Sequence, residues 1–197
     1  MGVGLGKAHA PGATPMNPDE IEGLIPRHIT LQHELDEFEQ ANILAGQEWA
    51  EKRFRKDLLS EAYVRMLHKK MFNKTWKWAG TFRKTEKSIG VDPAHISVAL
   101  RDLLEDAKYW QSCNTYPLDE LAARLHHRLV LIHLFPNGNG RHARLFTDVF
   151  LRFCGVAPFS WGRINLVNHS ATRSAYIAAL KSADCRDYGP LLAFVRS

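Results

Sequence analysis

The sequence predicts an all-α protein with a single domain, on three observations. Apolar residues recur at three- and four-residue spacing over most of the chain, as on the buried stripe of a helix. Turn signals built from glycine, proline and asparagine fall between those stretches. The 197 residues are enough for one well-buried core and too few for two.

Taken in order, residues 1–16 are rich in glycine, alanine and proline and read as a flexible tail, with 17–197 forming the domain. The tail lacks the cationic start and apolar centre of a secretory signal. Its Gly2-Val3-Gly4-Leu5-Gly6 run follows no strand and so is not a dinucleotide fingerprint. Position 6 is Gly6, which does not support myristoylation. Thr30 caps a predicted helix running to about residue 53, with Leu31, Leu35, Phe38, Ile43 and Trp49 toward the core. Further helices are predicted over 58–72, 96–113, 118–133, 141–154, 167–182 and 190–195, the fourth of these stopped by Gly155. The segment 78–91 breaks the rhythm. It contains Gly80 and Gly90, is ended by Asp92-Pro93, and reads as a small β-hairpin with an exposed polar tip, marginal by itself.

Composition excludes several classes. No stretch approaches the run of about 18 apolar residues that spans a bilayer, so no membrane association is predicted. A net charge of +5 favours acidic partners, but the basic residues are scattered and no nucleic-acid reader motif stands out. Cys113, Cys154 and Cys185 are odd in number, far apart and outside any CxxC pair. They read as idle thiols of a reducing, cytoplasmic compartment.

The chemistry is concentrated in residues 133–144, His133-Leu134-Phe135-Pro136-Asn137-Gly138-Asn139-Gly140-Arg141-His142-Ala143-Arg144. A helix that follows a Gly-Asn-Gly turn offers unpaired N–H groups and the positive end of its dipole, a good seat for phosphate. Arg141 and Arg144 lie three apart, on one face of the first turn. Two cations there oppose the dipole unless an anion compensates them. Guanidinium groups could grip phosphate oxygens in bidentate fashion. His133 closes the preceding helix, within reach of a group docked over the loop, and imidazole suits a general base.

The pattern His-x-Phe-x-x-Gly-Asn-Gly-Arg-x-x-Arg resembles the active-site motif of the Fic family of the Fic/Doc superfamily, and the similarity extends from about Thr30 onward. It is most similar to the compact single-domain Fic proteins of bacterial mobile elements. The resemblance implies a Fic-type helical domain and a protein adenylyltransferase, an enzyme of the nucleotidyltransferase class that moves AMP from ATP to a Ser, Thr or Tyr hydroxyl of a target protein. It implies that His133 is the base, that Asn139 and the backbone around Gly138 and Gly140 hold the α-phosphate, and that Arg141 and Arg144 bind the β and γ phosphates. Phe135 would anchor the loop. Segment 80–91 would be the flap that pairs with an extended stretch of the target, with Arg83, Lys84, Thr85 and Ile89 as target-binding residues and Lys87 adding charge.

The chain departs from the family pattern at two positions. Leu134 stands where proline is common, and Asn137 where active members carry Asp or Glu for a Mg²⁺ (or Mn²⁺) ion. An asparagine is a neutral, weaker ligand, but phosphates and water supply most of a Mg²⁺ shell. Asn137 therefore leaves alternatives open: removal of AMP from a modified target, use of another nucleotide, or a degenerate nucleotide-binding partner in a toxin–antitoxin-like pair. The Doc branch, which resembles a motif with lysine at the place of Gly140, is disfavoured. Inhibition in the family comes from a glutamate that pairs with the second motif arginine, here Arg144. Glu22 precedes Gly23 as that pattern asks, but Pro18 replaces the Ser or Thr. Glu34 follows Thr30 at the right spacing, but Leu35 replaces the Gly or Asn. Each is either the inhibitor or a surface residue, and a separate antitoxin-like regulator is the other option.

Overall fold

The computed structural model describes residues 18–52, 57–162 and 169–197. The predicted tail, residues 1–16, lies outside them, as does the predicted start of the helix at 167. The described chain runs α1 (Pro18–Ile21), α2 (Gln32–Glu51), α3 (Glu61–Phe72), a 3₁₀ turn (Pro93–His95), α4 (Ile96–Ser112), α5 (Leu118–Ile132), α6 (Asn139–Phe153), α7 (His169–Asp184) and α8 (Gly189–Val195). The all-α prediction holds.

Each helix forms where its apolar stripe can be buried. α3 begins at Ser60, whose hydroxyl accepts the Tyr63 N–H at 3.1 Å, and it buries Tyr63, Val64, Leu67, Met71 and Phe72. α4 turns Leu100, Leu103, Leu104 and Ala107 inward against α5. α5 and α6 pack side by side through Leu121, Leu125, Leu129, Phe146 and Phe150. α2 lies along α3 so closely that a Cβ on Gly46 would stand 2.9 Å from the Met71 backbone. α7 and α8 pair with each other, and α8 also rests on α5. α6 ends as predicted: Gly155 follows the last turn at φ 77° and its N–H returns to the Arg152 carbonyl.

Three expectations about elements are corrected. Thr30 is not the cap of α2. Leu31 is, and the Glu34 carboxylate accepts the Thr30 and Leu31 N–H groups at 3.4 and 3.3 Å, so the glutamate does the capping. Leu31 is accordingly exposed. α6 begins at Asn139 rather than 141, because Gly138 in the left-handed region turns the chain and Asn139 is already helical. The segment 80–91 is a loop without a strand ladder. Among the described residues the isolated β-bridge joins Leu24 and Trp76 instead. A side chain prevents the ladder. The Arg83 guanidinium donates to the Thr85 and Val91 carbonyls, and the Thr85 contact measures 2.9 Å.

Candidate active site

The junction between α5 and α6 is built around three tight conformations. His133 follows the last residue of α5 in the left-handed region, φ 56°, and its own N–H still reaches back to Leu129. Gly138, φ 79°, sits where a Cβ would stand 2.6 Å from the Phe72 ring, so the position excludes any side chain. Across the loop, Asn139 and Phe135 pair reciprocally: the Asn139 side-chain oxygen accepts the Phe135 N–H and its NH₂ donates to the Phe135 carbonyl, both at 2.8 Å. The Phe135 ring is fully buried beneath the loop, stacked on His68 with centroids 3.7 Å apart.

His133 is 5% exposed. Burial, then the cations Arg83 and Lys87, push its pKa down to about 4, so the imidazole is neutral and able to accept a proton across the physiological range. Gly140 presents the contrasting environment to Gly138. A Cβ there would meet nothing within 4 Å, so the space over the first turn of α6 is open. A phosphate oxygen could approach its N–H there.

The two motif arginines are held differently. Arg141 donates to the Glu39 carboxylate at 2.5 Å and to the Asn137 side-chain oxygen at 3.4 Å, and lies over the Phe72 ring. Arg144 contacts the Gly140 carbonyl at 3.4 Å and lies 5.5 Å over the Tyr176 ring. The Tyr176 hydroxyl is hydrogen-bonded to His126 at 2.8 Å, and burial pushes its pKa up to about 12. Both guanidinium groups thus stand on aromatic rings beside the loop, a preorganised cationic face.

The sequence-predicted residues therefore converge, with three changes of role. The Asn139 amide is buried and committed to Phe135, so it shapes the loop instead of reaching out to a phosphate. The Asn137 side-chain oxygen accepts the Gly138 N–H at 2.5 Å as well as the Arg141 contact. Its acceptor atom is already used by two donors, so Asn137 does not fit the place of a metal ligand. Among the described residues no cluster of three His, Cys, Asp or Glu side chains could hold an ion. Arg83, expected on an exposed tip, is 2% exposed, and Lys87 is buried in an ion pair with Glu20 at 2.6 Å. Lys84, Thr85 and Ile89 are the exposed residues of the predicted target-binding set.

The inhibitory candidates also move. Glu22 is exposed at the turn after α1, and Glu34 caps α2. The carboxylate found on a motif arginine belongs to Glu39, which is 6% exposed and whose second oxygen accepts the Trp76 indole N–H at 2.6 Å. Its signal was a charged residue on the core face of α2, four positions from Leu35. His68 was missed as well. Its Nδ1 accepts the Gly80 N–H at 3.0 Å, so the proton lies on Nε2, which donates to the Asn137 carbonyl at 3.1 Å. Burial holds this imidazole well below its usual pKa, which keeps it neutral.

An α-helical scaffold sets a neutral histidine beside a glycine-built helix N-terminus with two arginines, a geometry suited to an anionic group. Residues 58–151 match the model of the Fic/DOC family. A curated relative, the protein adenylyltransferase fic-1 of Caenorhabditis elegans, is 31% identical over 121 residues, covering 59% of this chain and 22% of that protein. The protein adenylyltransferase Fic of Drosophila grimshawi is 33% identical over 122 residues, covering 59% and 23%. The chain thus spans under a quarter of the length of these relatives. Among solved structures, the BepC effector of Bartonella tribocorum, with bound AMPPNP, has a TM-score of 0.71 at 17% identity, covering 91% of this chain and 97% of that one, a likeness of fold. A fragment of C. elegans Fic-1 has a TM-score of 0.60 at 26% identity, covering 80% and 47%.

Proposed function

We propose that this protein is an adenylyltransferase that moves AMP from ATP to a Ser, Thr or Tyr hydroxyl of a target protein. The observation that carries the reading is a neutral, nearly buried His133 beside the open first turn of α6, with Arg141 and Arg144 on rings to either side. Under this reading, His133 takes the proton of the target hydroxyl. The hydroxyl oxygen then bonds to the α-phosphorus while the α–β bridge bond breaks and pyrophosphate departs. Positioning and charge neutralisation supply most of the acceleration of such a transfer. The N–H groups about Gly138 and Gly140 receive the α-phosphate, and the arginines receive the β and γ phosphates. Mg²⁺ or Mn²⁺ enters as the companion of ATP, held by phosphate oxygens and water.

The exposed tip of the flap, with Lys84, Thr85 and Ile89, is the proposed seat of the target segment. A cytoplasmic setting goes with ATP as the substrate, and among the described residues no helix is long and apolar enough to cross a membrane. An antitoxin-like regulator remains part of the proposal for restraint. Asn137 favours one second reading, in which the same pocket handles another nucleotide or removes AMP, because the loop lacks the acidic side chain that the resemblance associates with transfer.

The test is label transfer from α-phosphate-labelled ATP to the protein itself and to a bacterial lysate, run beside His133→Ala. Label that depends on His133 supports the reading. Absence of label despite measurable ATP binding overturns it in favour of the second.

A further inference from the structure

The last carbonyls of a helix lack intrahelical donors and must find others. At the end of α5 all three carbonyls leading into the motif are served by the flap. The Ile132 oxygen accepts the Val91 N–H at 3.3 Å and an Arg83 N–H at 3.4 Å. The His133 oxygen accepts Arg83 Nε–H at 2.6 Å, and the Leu134 oxygen accepts the Arg83 backbone N–H at 3.0 Å. The remaining guanidinium contacts go to the Thr85 and Val91 carbonyls at the two sides of the flap loop. One side chain, 2% exposed, thus spends its fork on four backbone oxygens, two on each segment. A guanidinium at a helix C-terminus is also on the favourable side of the dipole.

The packing beside it is equally close. Gly90 has φ 117°, and a Cβ there would stand 2.5 Å from Arg83 Nη2 and 2.8 Å from the His133 Cβ. The flap backbone therefore lies directly against the base. His133 itself is held off the helical path, in the left-handed region, and its carbonyl is fixed by Arg83 Nε–H at 2.6 Å.

We infer that Arg83 is a positioning residue: its buried guanidinium fixes His133 through the His133 carbonyl and at the same time closes the flap that would present the target. The inference rests on His133 being the base. It assigns to Arg83 a coupling between target seating and base geometry in place of the exposed, target-facing role its charge suggested. The groups facing His133 from the flap are Arg83 and Lys87, with Lys87 paired to Glu20 of α1, and the charges of Asp92, Glu20 and Glu86 act on Arg83.

Two substitutions separate geometry from charge. Arg83→Lys keeps the cation and loses the fork, while Arg83→Gln loses the cation. For each, kcat and KM for ATP are measured by label transfer across pH, with thermal unfolding and ATP binding as controls. Arg83→Lys should lower kcat by about 10- to 100-fold, the scale of a small misplacement of a reacting group, with KM for ATP within about twofold and the acid limb unmoved. Arg83→Gln should show the same fall, and its acid limb should move up, because loss of a neighbouring cation raises an imidazole pKa. Wild-type kcat in Arg83→Lys, or an unmoved acid limb in Arg83→Gln, overturns the inference. If neither variant folds, Gly90→Ala decides. It presses on the same contact, so a lowered kcat with intact ATP binding supports the coupling, and wild-type kcat overturns it. His133→Ala run alongside keeps the two levels apart: label transfer that survives it removes the base assignment, whatever Arg83 does.

Discussion

The Glu39 carboxylate and the Arg141 guanidinium meet at 2.5 Å across 102 residues of sequence, with Trp76 holding the other carboxylate oxygen. A phosphate that binds Arg141 must compete with this pair. Replacing Glu39 by Gln keeps a partner for the Trp76 N–H and removes the competing charge. ATP affinity should rise by about tenfold, or about 1.4 kcal/mol, as read by titration calorimetry. The melting temperature should fall by a few degrees, because a nearly buried pair has lost its charge match. Unchanged affinity would show that the pair does not hold Arg141 away from the nucleotide.

His133→Ala should reduce label transfer by about 10²- to 10⁴-fold, the usual worth of a general base, with ATP binding within about twofold. In the native protein the base is neutral down to about pH 4 rather than the usual 6.5. The rate should therefore stay flat through 6.5 and decline only toward about 4. A decline centred near 6.5 would mean that burial and the flap cations do not act on this imidazole as described.

Gly138 and Gly140 should separate folding from binding. Gly138→Ala puts a methyl group into the Phe72 ring at positive φ and should destabilise the protein by about 1–3 kcal/mol. Gly140→Ala meets open space in a helix and should raise stability by up to about 1 kcal/mol. It should nonetheless weaken ATP binding, because the methyl group stands where phosphate would approach. Thermal melts and ATP titrations on the two variants check both halves.

Asn137→Asp supplies an anionic oxygen where an amide now caps the Gly138 N–H. The half-saturating Mg²⁺ concentration for label transfer should fall several-fold, since Mg²⁺ prefers a carboxylate ligand. An unchanged Mg²⁺ titration would place the ion entirely on the phosphates.

Acid should weaken the fold through buried neutral histidines. Burial lowers His126 to about 3 and His142 to about 4 in the folded chain, against 6.5 for an exposed imidazole. Between those values the unfolded chain holds protons that the folded chain does not, so stability rises with pH across that window. Their contribution is complete above about 6.5 and is lost as pH falls toward 4 and then 3. The melting temperature should follow the same course. His142→Gln, which can still donate to the Val64 carbonyl that His142 Nε2 reaches at 2.9 Å, should show a shallower decline.

The helices and the linear motif were legible because their determinants are local. Apolar spacing along α3, α4 and α5 needs only a core to face, and Gly138, Arg141 and Arg144 sit within the first two turns of the same helix. The start itself was placed two residues late, since Asn139 looked like part of a turn until its amide was seen clasping Phe135. The hairpin was misread for a different reason. A strand-like run bounded by glycines does not say whether its carbonyls will pair with backbone or with a side chain, and here Arg83 takes them.

What the sequence by itself determined was the all-α fold and the run from His133 to Arg144 that joins α5 to α6, each set by residues near one another in the chain. Only the tertiary structure decided which groups surround them. Glu39 reaches Arg141 from α2, Arg83 reaches the His133 carbonyl across 50 residues, and His126 of α5 holds the Tyr176 ring that underlies Arg144. Buried polar groups must be paired with whatever donor or acceptor packing brings within reach. That choice is made by how helices stack, a long-range outcome that spacing along one strand of sequence does not encode.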